Sequence, residues 1–174
     1  MPTRRRQTAA RRPSAPIRRR RVWARENHTF LDLGAAVSIQ SLTTDYRADR
    51  GIVKMDPGTT IGGIRGRITV VPGTSPAAAT ADSLLWGIIV APDTVDSVDI
   101  DPAFLHLDWM AYGRFAWGPF VAASGLGYPL HDELSVRAMR KLDEIGHDVF
   151  MAVGASAAGT VDLVVTTSVL LLLP

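Results

Sequence analysis

The sequence predicts an all-β domain preceded by a disordered arginine-rich arm, and three observations predict it. The apolar residues fall in short runs of Val, Ile and Leu separated by Gly, Pro, Asp and Thr, as strands and turns require, rather than at helical spacing. Several of these runs alternate apolar with polar residues, the period of a strand with one buried face. Residues 1–25 carry ten arginines and no acid. A like-charge block this dense repels itself, buries little apolar surface and cannot recover the entropy of ordering its backbone.

The charge divides the chain into two objects, an arm at 1–25 and a domain at 26–174. The arm arginines are Arg4, Arg5, Arg6, Arg11, Arg12, Arg18, Arg19, Arg20, Arg21 and Arg25. All 17 acids follow them, facing only nine Lys and Arg, so residues 26–174 have a formal charge of −8 although the whole chain reads +2. The expected partner of the arm is a polyanion, single-stranded nucleic acid, held through phosphates without reading sequence. The remaining length suits one domain with a real core.

Cysteine is absent, which excludes disulfides, thiolate zinc sites and cysteine nucleophiles. The longest apolar stretch, Val161 to Leu173, is interrupted by Asp162, Thr166, Thr167 and Ser168 and is shorter than the ~20 residues of a membrane helix, so no membrane span is expected. Arg5 and Arg6 are not followed by the apolar segment of an export signal, and Pro13 and Pro16 interrupt the amphipathic helix of a transit peptide.

The elements follow in chain order. His28 to Leu33 alternates as a strand with Phe30 and Leu33 turned inward, and Ala36 to Leu42 reads as a second strand. Thr43 to Pro57 is polar and reads as a surface loop around Ile52 and Val53. Thr59 to Val71 is a clear strand whose glycines, Gly62, Gly63 and Gly66, point to a bulge or a close backbone approach. The same glycines lack the Lys-Ser/Thr ending of a phosphate-binding loop. Pro72 to Thr80 reads as a turn or exposed loop.

Leu84 to Val90 is a continuous apolar run, as in a strand buried on both faces. Pro92 to Pro102 contains Asp93, Asp96, Asp99 and Asp101; a solvated acidic loop is favoured over a calcium site, because the EF-hand spacing is missing. Leu105 to Phe120 concentrates large rings, of which Trp109, Tyr112, Phe115 and Trp117 are candidates for a subunit interface, with base stacking as the alternative.

Over Asp132 to Leu142 two periods compete. Val136, Met139, Leu142 and Ile145 have helical spacing, whereas Leu134, Val136 and Ala138 alternate; the local pattern favours a short helix. Val149 to Val153 reads as a strand, Gly154 to Gly159 as a hairpin connection, and Val161 to Leu173 as a last strand buried on both sides.

No catalytic signature is present, and the chain is read as a non-enzyme without cofactor or metal. The histidines His28, His106, His131 and His147 are scattered, and His106 with Asp108 makes only a pair. Ser124 lies in ASGLG, which is not a nucleophile elbow.

The arm ending in RRRRVW, the segments PGTTIGGIRGRITVV, LLWGIIVAP, DWMAYG and LSVRAMRKLDEIGHDVFMAV, and their order resemble the coat proteins of small icosahedral viruses, especially those of circular single-stranded DNA viruses. The resemblance implies a single jelly roll of two four-stranded antiparallel sheets, and it moves Leu134 to Arg140 from helix to strand. It further implies self-assembly into a closed icosahedral shell, location in the virion, and in the host nucleus during assembly if the host is eukaryotic. The arm would lie inside and package the genome. With on the order of sixty copies, ten arginines each would supply roughly 600 charges, enough for a genome on the order of one kilobase or somewhat more. The alternative function is a cellular nucleic-acid-binding or chromatin-associated protein with a basic tail.

Overall fold

The computed structural model describes residues 19–33, 37–72, 83–95, 109–116, 130–137, 139–155 and 161–174. Within them lie nine strands and one short helix: β1 (Arg20–Leu33), β2 (Ser38–Ser41), α1 (Thr44–Ala48), β3 (Thr60–Pro72), β4 (Ser83–Pro92), β5 (Trp109–Ala116), β6 (Leu130–Val136), β7 (Arg140–Lys141), β8 (His147–Ala155) and β9 (Val161–Leu173). Readings placed on Ser124, on His106 with Asp108, on residues 73–80 and on the acidic run beyond Val95 lie outside the described residues.

Two antiparallel sheets face each other. One runs β1-β9-β3-β6, with β7 adding a short fifth strand beside β3; the other runs β2-β8-β4-β5. Successive strands repeatedly change sheet, and the first and last strands pair with each other. This is the order of a jelly-roll sandwich, as the resemblance implies, with β7 as an addition to the expected four strands of one sheet.

The topology corrects the reading of residues 154–159. β8 pairs with β2 and β4, whereas β9 pairs with β1 and β3, so the connection passes between sheets and is not a hairpin. Burial also corrects β9. Leu163, Val165, Thr167, Val169 and Leu171 are buried, while the residues between them are half-buried or exposed, so only one face meets the core. Its outward Val164, Leu170 and Leu172 made the sequence look apolar on both sides. β4 does bury both faces: Leu84, Ile88 and Val90 enter the main core, and Ile89 and Ala91 pack with Phe150 on the other side.

Phe30 and Leu33 both point inward although they are three residues apart. A regular strand cannot do this, and the register of β1 against β9 shifts between them. A second shift, between Ile61 and Gly63 of β3, is the bulge that the glycines announced. Across residues 132–136 the strand period wins, and β6 ends at Val136. Leu134 and Val136 are buried, and the helical stripe is split: Val136 and Leu142 are buried, while Met139 is 68% and Ile145 73% exposed.

The segment read as a loop at 43–57 contains α1. Its anchor is Tyr46, buried against the sandwich; Asp45 in its first turn and Arg47 in its last suit the helix dipole. Five residues give too short a period to recognise in sequence.

The core lies between the sheets and is filled by Phe30, Leu33, Ile61, Ile68, Ile88, Met151 and Leu163, among others, all essentially without solvent exposure. Each such side chain contributes about 1.5–3 kcal/mol on burial. Gly66 serves the packing by having no side chain, because a Cβ there would collide with the backbone carbonyl oxygen of Thr166 on β9. Gly66→Ala is therefore expected to lower stability by about 1–3 kcal/mol. Arg65→Ala and Arg67→Ala, at the exposed positions on either side, should each stay within about 0.5 kcal/mol of the parent. Urea denaturation followed by tryptophan fluorescence checks the contrast.

Candidate nucleic-acid interface

Of the ten arm arginines, Arg4, Arg5, Arg6, Arg11, Arg12 and Arg18 lie outside the described residues. Arg20, Arg21 and Arg25 belong to β1, which takes up the last six residues of the segment expected to be disordered arm. The reason is visible in RRVWAR. Ala24 is buried and Val22 packs against the core, while Arg21, Trp23 and Arg25 alternate with them and face outward, so the arginines cost the strand no burial. Arg20 pairs with Leu173, Arg21 with Leu172 and Arg25 with Ser168. Just before the strand, Nη1 of Arg19 donates to Thr60 Oγ1 at 2.9 Å, tying the base of the arm to β3.

The aromatic candidates divide. Trp109 is half-buried at the start of β5, packed against Ile89, Ala91 and Phe150, and its ring occupies the space that a side chain at Gly87 would need. Trp86 reciprocates by lying over Gly113 on β5. Each tryptophan thus fills the glycine gap of the neighbouring strand, a cross-strand pairing that fixes the register of β4 and β5. Tyr112 is 53% exposed on β5, which among the described residues has only β4 beside it. Phe115 pairs with Leu84 through its backbone, and Trp117 lies outside the described residues.

A buried polar cluster was not recognised in the sequence. Asp148, at the start of β8, accepts hydrogen bonds from Thr43 Oγ1 at 2.7 Å and Ser41 Oγ at 2.8 Å, and Arg47 Nε stands 3.3 Å from it. These contacts clamp α1 to the sheet. Nearby, Glu26 and His28 occupy inward positions of β1, 2% and 7% exposed, with Nε2 and Oε2 3.5 Å apart. Tyr46 N–H donates to Glu26 Oε1 at 3.2 Å. The signal available was parity: both residues share the face of Ala24 and Phe30.

Burial pushes the Glu26 carboxyl up to about 7, and it also lowers the His28 imidazole from its ordinary range. The pair borders an open cleft of about 330 Å³ lined by Asn27, Gln40, Ser41, Thr44 and Asp45. Ser41 Oγ is committed to Asp148 rather than to His28, so no nucleophile-base relay forms there. Among the described residues there is no group of three or more His, Cys, Asp or Glu that could hold a metal ion.

Two outcomes follow. For Glu26, a raised folded pKa means that the unfolded chain ionises first, so stability is lost as pH rises from 4.5 through about 7. Glu26→Gln removes that loss. It should stabilise the protein by on the order of 2 kcal/mol above pH 7, with the gain fading toward pH 4.5, as thermal unfolding across pH would show. The depressed His28 acts with opposite sign, disfavouring the fold as pH falls through its ordinary range near 6.5. At the aromatic pairs, Trp109→Ala should cost about 2–3 kcal/mol of domain stability, because the ring is only half-buried and a full truncation costs about 3–5 kcal/mol.

No family model matches the sequence, and no curated protein matches it. Among solved structures, the chain is similar to that of turnip yellow mosaic virus, at 14% identity and TM-score 0.39, covering 99% of this chain and 91% of that one. It is similar to the decameric BFDV capsid protein at 7% identity and TM-score 0.40, covering 87% and 96%. Cocksfoot mottle virus gives 10% identity and TM-score 0.41, covering 88% and 92%.

Proposed function

We propose that this chain is a structural coat protein that assembles with copies of itself into a closed shell and packages single-stranded nucleic acid through its N-terminal arginines. The observation that carries the reading is the separation of charge along one chain: ten arginines without an acid in residues 1–25, followed by a formal charge of −8 over residues 26–174. A net charge of that sign repels a polyanion on the whole, so the arginine-rich arm is the main part suited to hold one. Guanidinium groups remain charged and fork onto phosphate oxygens, which suits the arginines of the arm to a polyanion.

The fold supports the same reading. Among the described residues, both ends of β1-β9-β3-β6 and of β2-β8-β4-β5 are strand edges, and β5 displays Tyr112 at one of them. With Trp109, Phe115 and Trp117, Tyr112 forms the proposed contact between subunits. The role is structural and requires no cofactor. A second reading, a cellular nucleic-acid-binding protein with a basic tail, shares the charge pattern but needs no self-association.

The arm is tested by replacing Arg4, Arg5, Arg6, Arg11, Arg12 and Arg18 with Ala in the full chain. Each lost phosphate contact on a single strand removes about 0.7 from the slope of log K against log salt, so the slope should become shallower by up to about 4. The loss should be the same for every sequence, because phosphate contacts carry no base information. Unchanged affinity and slope would contradict packaging by the arm. Deleting Met1 to Arg18, which stops short of β1, should leave the circular dichroism of the domain intact and remove most co-purified nucleic acid.

A further inference from the structure

The outward face of the five-stranded sheet is unusual for a domain with this acidic balance. Reading across the strands, Arg25 of β1, Ser168 of β9, Arg65 of β3 and Ser135 of β6 form one row. The next row is Asn27, Thr166, Arg67 and Glu133. Strands are about 4.8 Å apart and alternate residues about 7 Å apart along a strand, which places Arg65 and Arg67 as neighbours and Arg25 about 10 Å across from Arg65. Trp23, 46% exposed, projects from the same face of β1 between Arg21 and Arg25. Arg137, exposed, continues the outward positions of β6 just past its end.

The pairing of cations elsewhere makes this face informative. Beyond Arg25, Arg47 meets Asp148, Lys54 meets Asp93 and Lys141 meets Asp143. Arg50 lies over the Tyr46 ring, Arg114 donates to Ser83, and Arg140 also has a partner. The side chains of the remaining three basic residues, Arg65, Arg67 and Arg137, make no hydrogen bond or ion pair among the described residues, and all three share this one face. Even Glu133, directly across from Arg67, is not in ion-pair contact with it among the described residues. Like charges gathered on one sheet face disfavour the fold unless a counter-charge is supplied from outside. Between them stand hydroxyl and amide groups, which suit phosphate and sugar oxygens.

We infer that this face is a second nucleic-acid-binding surface, on which phosphates of a single strand lie across Arg25, Arg65 and Arg67 while a base stacks on Trp23. The inference rests on the packaging reading and extends it from the arm to the folded domain. The arm enters the sheet at β1, on the same edge as Trp23 and Arg25, so a strand held by the arm is delivered onto the face. The surface adds phosphate contacts in fixed positions and one stacking platform, and it carries no base-edge readout.

The test uses the full chain, a fluorescein-labelled oligothymidylate and a salt titration at protein concentrations where the chain is dispersed. Arg65→Ala with Arg67→Ala should make the salt slope shallower by about 1.4, two contacts at about 0.7 each, while Arg65→Lys with Arg67→Lys keeps it. Trp23→Ala should weaken binding about tenfold with the slope unchanged, as lost stacking does. The variant lacking Arg4, Arg5, Arg6, Arg11, Arg12 and Arg18 should retain weak binding that disappears when Arg65 and Arg67 are also replaced by Ala. If that arm variant loses all binding and the Arg65/Arg67 variant matches the parent, the face is overturned and packaging by the arm stands. If the arm variant binds like the parent, packaging by the arm fails, and the face is judged by its own change of slope. If replacing Arg65 and Arg67 leaves the slope intact but abolishes assembly in sedimentation velocity, the face docks acidic groups of a second copy, which also overturns the inference.

Discussion

The structure depends on β9 pairing along its length with β1 on one side and β3 on the other. That insertion places β9 between two strands that precede it in the chain, so the five-stranded sheet cannot be completed before β9 is present. It also converts a modest alternation into a division of labour. The odd-numbered residues from Leu163 to Leu171 fill the core, while Ser168 and Thr166 space the outward arginines of β1 from those of β3. The close approach of β3 and β9 at Gly66 is a condition of that arrangement, and so is the bulge between Ile61 and Gly63.

The second sheet is held differently. β4 is buried on both faces, and its glycine and tryptophan interlock with those of β5, so shape rather than charge sets this register. α1 is clamped onto the sandwich by Asp148, which gathers two hydroxyls and a guanidinium from the preceding segment. Placed beside this satisfied carboxylate, Glu26 and His28 are the costly groups of the interior. Their opposite pKa shifts have the same largest cause, removal from water.

Much of the architecture is written in local pattern. Thr60–Pro72 and Ser83–Pro92 lie within two residues of where alternation and turn residues place them, and β9 has the bounds read from the sequence. What sequence could not express is which sheet a strand joins. The connection after β8 looked like a hairpin because glycine and alanine suit one, and nothing local distinguishes a return from a crossing. Burial of β9 on both sides was inferred from apolar content that in fact lies partly outside. The start of β1 was hidden because arginines on an exposed face look the same as arginines in an arm; only Val22 and Ala24 mark the difference. Glu26 and His28 were missed for the converse reason, since polar residues at inward positions read as solvated. Over residues 132–142 the local period pointed to a helix, and tertiary pairing with Ile64 to Val70 decided for a strand as far as Val136.

These parts fit one account: a sandwich, an acidic body, and a cationic arm joined to a sheet face whose arginine side chains have no partner among the described residues. The central claim is that copies of this chain enclose nucleic acid. Electron microscopy of the purified full-length protein, before and after nuclease treatment, tests it most directly. The account predicts uniform closed shells with nucleic-acid density inside that nuclease does not remove. A dispersed small species whose bound nucleic acid is fully digested would contradict it and leave a monomeric binder with a basic tail.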